Sequence, residues 1–158
     1  MGGCAAYAPS VPDGYTGPLA IVKDSVKKHS TSKADFFYLE KIEGNRIEDS
    51  RSKTLAVNYG RGMYMEPFVL DRKVPAKMCT VLIVGRTEYA APILALTNTV
   101  YEVSGELTFK PEPGKTYVVV GELGEEYSAV WIEEEESKQV VGNKVEVKGS
   151  AALGFFAK

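Results

Sequence analysis

The chain has 158 residues and a formal net charge of −2, with 44% hydrophobic and 25% charged residues. That length predicts one domain with a core large enough to need no staples, and the charge argues against a general nucleic-acid binder, which needs surplus Lys and Arg. No apolar run approaches the roughly 18 residues of a membrane-spanning helix, so any attachment to a membrane is expected to run through lipid.

In chain order, Ala5 to Pro18 is turn-forming, with Pro9, Pro12, Gly14, Gly17 and Pro18. Residues 1–18 are expected to be a flexible tether, and 19–158 a single β domain, because patterning from Leu19 onward favours period two over period 3.6. Leu19 to Val22 opens as a short strand, and Lys23 to Lys33 is a polar segment. Asp35 to Ile42 turns at Glu43-Gly44-Asn45 into Arg46 to Asp49 as a hairpin. Lys53 to Tyr59 and Gly62 to Leu70 are expected as strands, the latter at an edge because Pro67 cannot donate to a ladder.

Lys77 to Val84 follows as a buried strand, containing Cys79 as a small apolar residue. Glu88 to Leu96 has helical character interrupted by Pro92 and is expected to form an irregular connection or a single turn. In Tyr101 to Phe109 apolar and polar residues alternate, as in a strand covering a core on one side. Thr116 to Glu122, Tyr127 to Glu133, Gln139 to Val141 and Lys144 to Lys148 complete the set, and Ser150 to Lys158 is expected to close the domain as a final strand or docked tail. The fold class is therefore all-β: an antiparallel β-sandwich, immunoglobulin-like or prealbumin-like in its Greek key, with about eight or nine strands and little helix. Tyr117, just after the Pro113-Gly114 turn, is placed to act as a tyrosine corner, its hydroxyl bonded to backbone across the arch.

Residue patterns that imitate chemistry mostly fail on inspection. Gly114-Lys115-Thr116 lacks the first glycine of a phosphate-binding loop and leads into a strand. His29, the single histidine, has no zinc-ligating company and is expected in a solvated loop. Seven glutamates lie between Glu122 and Glu136 without a Lys or Arg, and they are expected to solvate a hairpin rather than wrap a cation. No catalytic residue, metal site or cofactor is expected. The candidate interaction surface is Tyr59, Arg61, Met63, Tyr64 and Met65, residue types enriched at interfaces and presented between glycines.

Gly3-Cys4-Ala5, a small residue before a cysteine, is followed by the Pro/Gly tether and the strand rhythm. This layout resembles small bacterial envelope lipoproteins after removal of the signal peptide. The resemblance implies lipidation at Cys4, attachment to the membrane through that lipid, and outer-membrane anchoring facing the periplasm. An ordinary thiol in a frayed terminus is the alternative. N-myristoylation at Gly2 is disfavoured because Ala6 stands where Ser or Thr is required. An extended tether would let the domain stand about 40 Å from the bilayer. The expected function is non-enzymatic: protein binding or assembly at the cell envelope, with a partner the sequence does not name. The alternatives are a carrier of a small ligand or carbohydrate, and a hydrolase whose two carboxylates meet only on folding.

Overall fold

The computed structural model describes residues 6–158; Cys4 and its expected lipidation lie outside them. Among the described residues the chain forms β1 (Leu19–Lys23), β2 (Ser25–Lys28), β3 (Lys33–Ile42), β4 (Asn45–Arg46), α1 (Ser50–Val57) and β5 (Asp71–Pro75). It continues with β6 (Cys79–Tyr89), α2 (Pro92–Thr97), β7 (Glu102–Phe109), β8 (Thr116–Glu122), β9 (Tyr127–Glu134) and β10 (Val140–Lys148). The strands make two five-stranded sheets, one ordered β10-β9-β8-β1-β5 and the other β2-β3-β6-β7 with β4 also on β3.

The protein is thus mostly β, and its pairing is mostly antiparallel. One pair departs from the expected all-antiparallel arrangement: β1 runs parallel to β8, with Ile21 opposite Thr116, so the first sheet is mixed. A parallel neighbour needs a long crossover, and here everything from Asp24 to Lys115 supplies it. Asp24 alone separates β1 in the first sheet from β2 in the second.

The main core lies between the sheets. Val22, Phe37, Leu39, Ile83, Val119 and Ile132 are among its most completely buried members. Phe37 shows how closely the sheets approach. A Cβ added at Gly121 would stand 2.6 Å from its ring and 2.3 Å from the Ala129 carbonyl oxygen, and one at Gly85 would stand 3.0 Å from the same ring. The two glycines leave the room that this aromatic side chain occupies. A second, smaller core of Phe36, Tyr38, Met65 and Val84 covers the opposite face of the second sheet.

The β3–β4 hairpin closes through Glu43 and Gly44, at φ 49° and 79°, the left-handed pair of a two-residue loop. Tyr117 behaves as its position suggests. It is buried, its ring meets Phe109 edge-on at 5.7 Å, and its hydroxyl accepts the Glu112 N–H at 2.8 Å.

Elsewhere local pattern misleads. Lys53 to Tyr59 is not a strand, because α1 occupies Ser50–Val57, and Gly62 to Leu70 forms no strand before β5. Asp49 starts α1: its Oδ1 accepts the Ser52 N–H at 2.8 Å and its Oδ2 accepts the Ser52 hydroxyl at 3.0 Å, the usual service of an N-cap aspartate. Ser50 and Thr54 face inward while Leu55 and Val57 are exposed, so apolar residues do not mark the buried side of this helix. The polar segment after Lys23 contains β2, whose only strong apolar residue is Val26. Pro92 stands at the first turn of α2, where its missing N–H costs nothing. The tail docks only in part: Ala152 bridges Tyr101 and Ala151 is buried, but Phe155 and Phe156 are exposed.

Tyr7 to Pro18 carries no strand or helix but touches the body. The Ala8 N–H donates to the Arg46 carbonyl at 2.8 Å, and the Arg46 guanidinium lies 5.5 Å from the Tyr7 ring centre.

Candidate binding cleft between the helices

Strand β6 has two faces. Ile83, Gly85 and Thr87 alternate inward, which sends Val84, Arg86 and Glu88 to the face away from the first sheet. Helix α1 and the segment after it cover Val84 there, and α2 leaves the end of β6 after a short link. Between the two helices this arrangement leaves a cleft of about 550 Å³, with Arg86 and Glu88 among its lining residues and Leu55, Met65, Pro92, Leu96 and Val100 as apolar lining.

Both helix ends are tied down. At the end of α1 the Asn58 amide donates to the Thr54 and Glu66 carbonyls, each at 2.8 Å, and its side-chain oxygen accepts the Glu66 N–H at 2.9 Å. This holds the segment carrying Tyr59 and Met65 against the helix. At the end of α2 the Asn98 amide donates to the Leu94 carbonyl at 2.9 Å, and the Thr97 hydroxyl donates to the Ile93 carbonyl at 2.9 Å.

The charges of the cleft form a chain. Glu88 Oε1 accepts from Arg51 Nε and, at 3.1 Å, from Arg86 Nε; Arg86 Nη1 then donates to Glu102 Oε2 at 3.3 Å. Arg51, Arg86 and Glu88 are all largely withdrawn from solvent. Burial opposes the charge on Arg51, yet Glu88, Tyr38 and Asp49 more than offset it and raise its pKa above the ordinary arginine value. Burial also pushes the Tyr38 phenol well above the usual tyrosine range, against the pull of Arg51. Such a buried network fixes geometry.

The expected surface of Tyr59, Arg61, Met63, Tyr64 and Met65 divides. Tyr59 and Met65 line the cleft. Met65 is only 2% exposed, packed with Phe36 and Tyr38, so it serves as interior and not as outward surface. Arg61 lies over the Tyr64 ring at 5.9 Å, and the Tyr64 hydroxyl donates to Glu66 Oε2 at 2.9 Å. Met63 is exposed. Arg51, Arg86 and Glu88 were not legible as site residues. They come from α1 and β6, and nothing in their spacing announces the meeting.

Two other expectations gain detail. His29 lies exposed in the loop between β2 and β3, as expected, and its Nε2–H also donates to Asp35 Oδ2 at 2.7 Å, while the buried Asp35 accepts the Thr87 hydroxyl at 2.9 Å. No Ser, Thr or Cys side chain is hydrogen-bonded to the other ring nitrogen among the described residues, so the pair reads as a clamp on the β2–β3 hairpin. The acidic run is likewise partly engaged, with Glu135 on Lys23 at 2.8 Å and Glu134 on Lys115 at 3.2 Å. Among the described residues no group of three or more His, Cys, Asp or Glu is arranged to hold a metal.

No protein-family model, curated protein or solved structure matches the chain.

Proposed function

We propose that the chain is a non-enzymatic binding module of the bacterial cell envelope, held to the membrane by lipid on Cys4, with the α1–α2 cleft as its binding face. One observation carries this reading: Leu55, Tyr59 and Leu96, apolar side chains that neither core uses, all open onto one cleft. Exposed apolar surface gathered at one concavity marks a place of contact. The envelope location rests on Gly3-Cys4-Ala5 and its Pro/Gly continuation. The hydroxyl bond of Tyr117 supports a Greek-key sandwich of immunoglobulin or prealbumin type.

The occupant is a protein partner in the first reading and a small ligand in the second. The cleft volume of about 550 Å³ favours the second, since small-molecule sites span roughly 300–1,000 Å³.

The test is purification of the native protein from its own membranes, with the intact mass of the N-terminal peptide, beside a Leu55→Asp/Leu96→Asp variant. A diacylglyceryl increment on Cys4 and loss of the co-purifying component from the variant are expected. An unmodified thiol in a soluble protein removes the envelope assignment. Unchanged co-purification removes the cleft as the binding face.

A further inference from the structure

The cationic side chains at the cleft are not equally engaged. Arg51, Arg86 and Lys158 are among its lining residues, beside the Glu88 carboxylate. Glu88 engages both arginines through their Nε atoms, and Arg86 spends Nη1 on Glu102. Lys158 Nζ donates to the Asn98 carbonyl at 2.5 Å. The two terminal nitrogens of Arg51 donate to no side chain or carbonyl among the described residues. They form a fork held in place by its own Nε contact, and a guanidinium fork matches the paired oxygens of a carboxylate or phosphate.

The rest of the cleft asks for something different. Asn58, Thr87 and Tyr89 also line it but spend their polar groups within the protein. Leu55, Met65, Pro92, Ala95, Leu96 and Val100 offer no side-chain hydrogen-bond partner, so apart from the Tyr59 hydroxyl a sugar phosphate or other polar body would lose hydration there with little compensation. An apolar body would gain from the same walls. Low-polarity walls also strengthen the attraction of the arginine fork for an anion. Glu88 opposes such an anion, but its charge is already shared between two guanidiniums.

Resting on the reading that this cleft is the binding face, we infer that its ligand is a small single-chain amphiphile with one carboxylate or phosphate group, taken up as a monomer. The headgroup sits on the Arg51 fork and the apolar body lies along Leu55 and Leu96. A cleft of about 550 Å³ has the scale of a small-molecule site, which suits one chain and not a bilayer surface.

Calorimetric titration of the full chain with dodecanoate, dodecyl phosphate, dodecanol and dodecyltrimethylammonium, each below its micelle concentration, tests this. Both anions should bind at least about tenfold more tightly than the alcohol or the cation, as expected of a charge-assisted pair. That advantage should shrink with added salt. Arg51→Gln should reduce the anions to the level of dodecanol, and Ala95→Trp, which fills the cleft from α2, should abolish binding; circular dichroism verifies that each variant is folded. The salt dependence of the unaltered protein carries the test if Arg51→Gln does not fold. Equal binding of dodecanol and dodecanoate overturns the inference, as does binding of anionic phospholipid vesicles without binding of any monomer. If no amphiphile binds but Ala95→Trp loses the component co-purified from membranes, the ligand class is overturned and the cleft stands. If Ala95→Trp changes neither, both fall.

Discussion

Asp24 and Arg72 meet as a two-pronged pair, Nη1 to Oδ1 at 2.9 Å and Nη2 to Oδ2 at 2.7 Å, at the residue where the chain leaves one sheet for the other. The carboxylate also accepts the backbone N–H groups of Leu39 and Ser50 and the Ser50 hydroxyl. The Ser50 hydroxyl in turn accepts the Leu70 N–H at 2.7 Å. One fully buried charge thus ties together the β1–β2 crossing, β3, the start of α1 and β5. Arg72→Met leaves that carboxylate without its counter-charge and is expected to cost about 3–5 kcal/mol. Urea unfolding measures it, and a loss below about 1 kcal/mol would falsify the assigned role.

Tyr117→Phe keeps the ring against Phe109 but leaves the Glu112 N–H without its acceptor. A loss of about 1–2 kcal/mol is expected, the cost of an orphaned, partly buried donor. The denaturation midpoint should fall with its slope unchanged. An unaltered midpoint means that the hydroxyl does not brace the arch.

Gly121→Ala and Gly105→Ala form an instructive pair. The first sets a Cβ 2.3 Å from a backbone carbonyl oxygen, whereas the nearest atoms to the second belong to the Val145 side chain, at 2.9 Å or more. Backbone cannot yield as a side chain can, so Gly121→Ala should lose about 3 kcal/mol or more and Gly105→Ala about 1 kcal/mol. Thermal unfolding of the two side by side checks the order. A reversed order contradicts the sheet spacing described for Phe37.

Cys79 gives stability a dependence on alkaline pH. Burial, aided by Glu43 and opposed by Lys77, pushes its thiol up from 9.0 to about 11. Between those values the unfolded chain releases a proton that the native protein keeps, so stability falls as pH rises. The contribution is fully present below about pH 9 and is lost by about pH 11, amounting to at most about 3 kcal/mol. Unfolding from pH 8 to 11 should show a steeper decline for the unaltered protein than for Cys79→Ala. Parallel curves remove Cys79 as the cause. The same burial should make the native thiol slow toward alkylating reagents at neutral pH.

Strands that cover a core on one side were open to reading. β7 alternates cleanly, and the apolar runs of β8 and β9 stood out between their turns. The hairpin at Glu43-Gly44 and the hydroxyl of Tyr117 followed from local chemistry. α1 was hidden because its buried side is Ser50 and Thr54 while its apolar Leu55 and Val57 face outward. The one local sign was Asp49 ahead of Ser52, a capping pattern that period counting overlooks. β2 was hidden by its lysines, and the parallel β1–β8 pair by the long stretch of chain separating them. The cleft was least visible of all. Arg51 and Glu88 come from distant parts of the chain, and only the turn of the second sheet's outer face toward α1 brings them together.

The docking of Tyr7 and Ala8 on Arg46 has a mechanical corollary. Tension applied to the N-terminus would first peel residues 7–18 from the body and then run along β1, which is laced to β5 on one edge and to β8 on the other. Both ladders would be loaded in shear together, so the domain should resist pulling from that end more strongly than from β10, which zips onto β9 along a single edge.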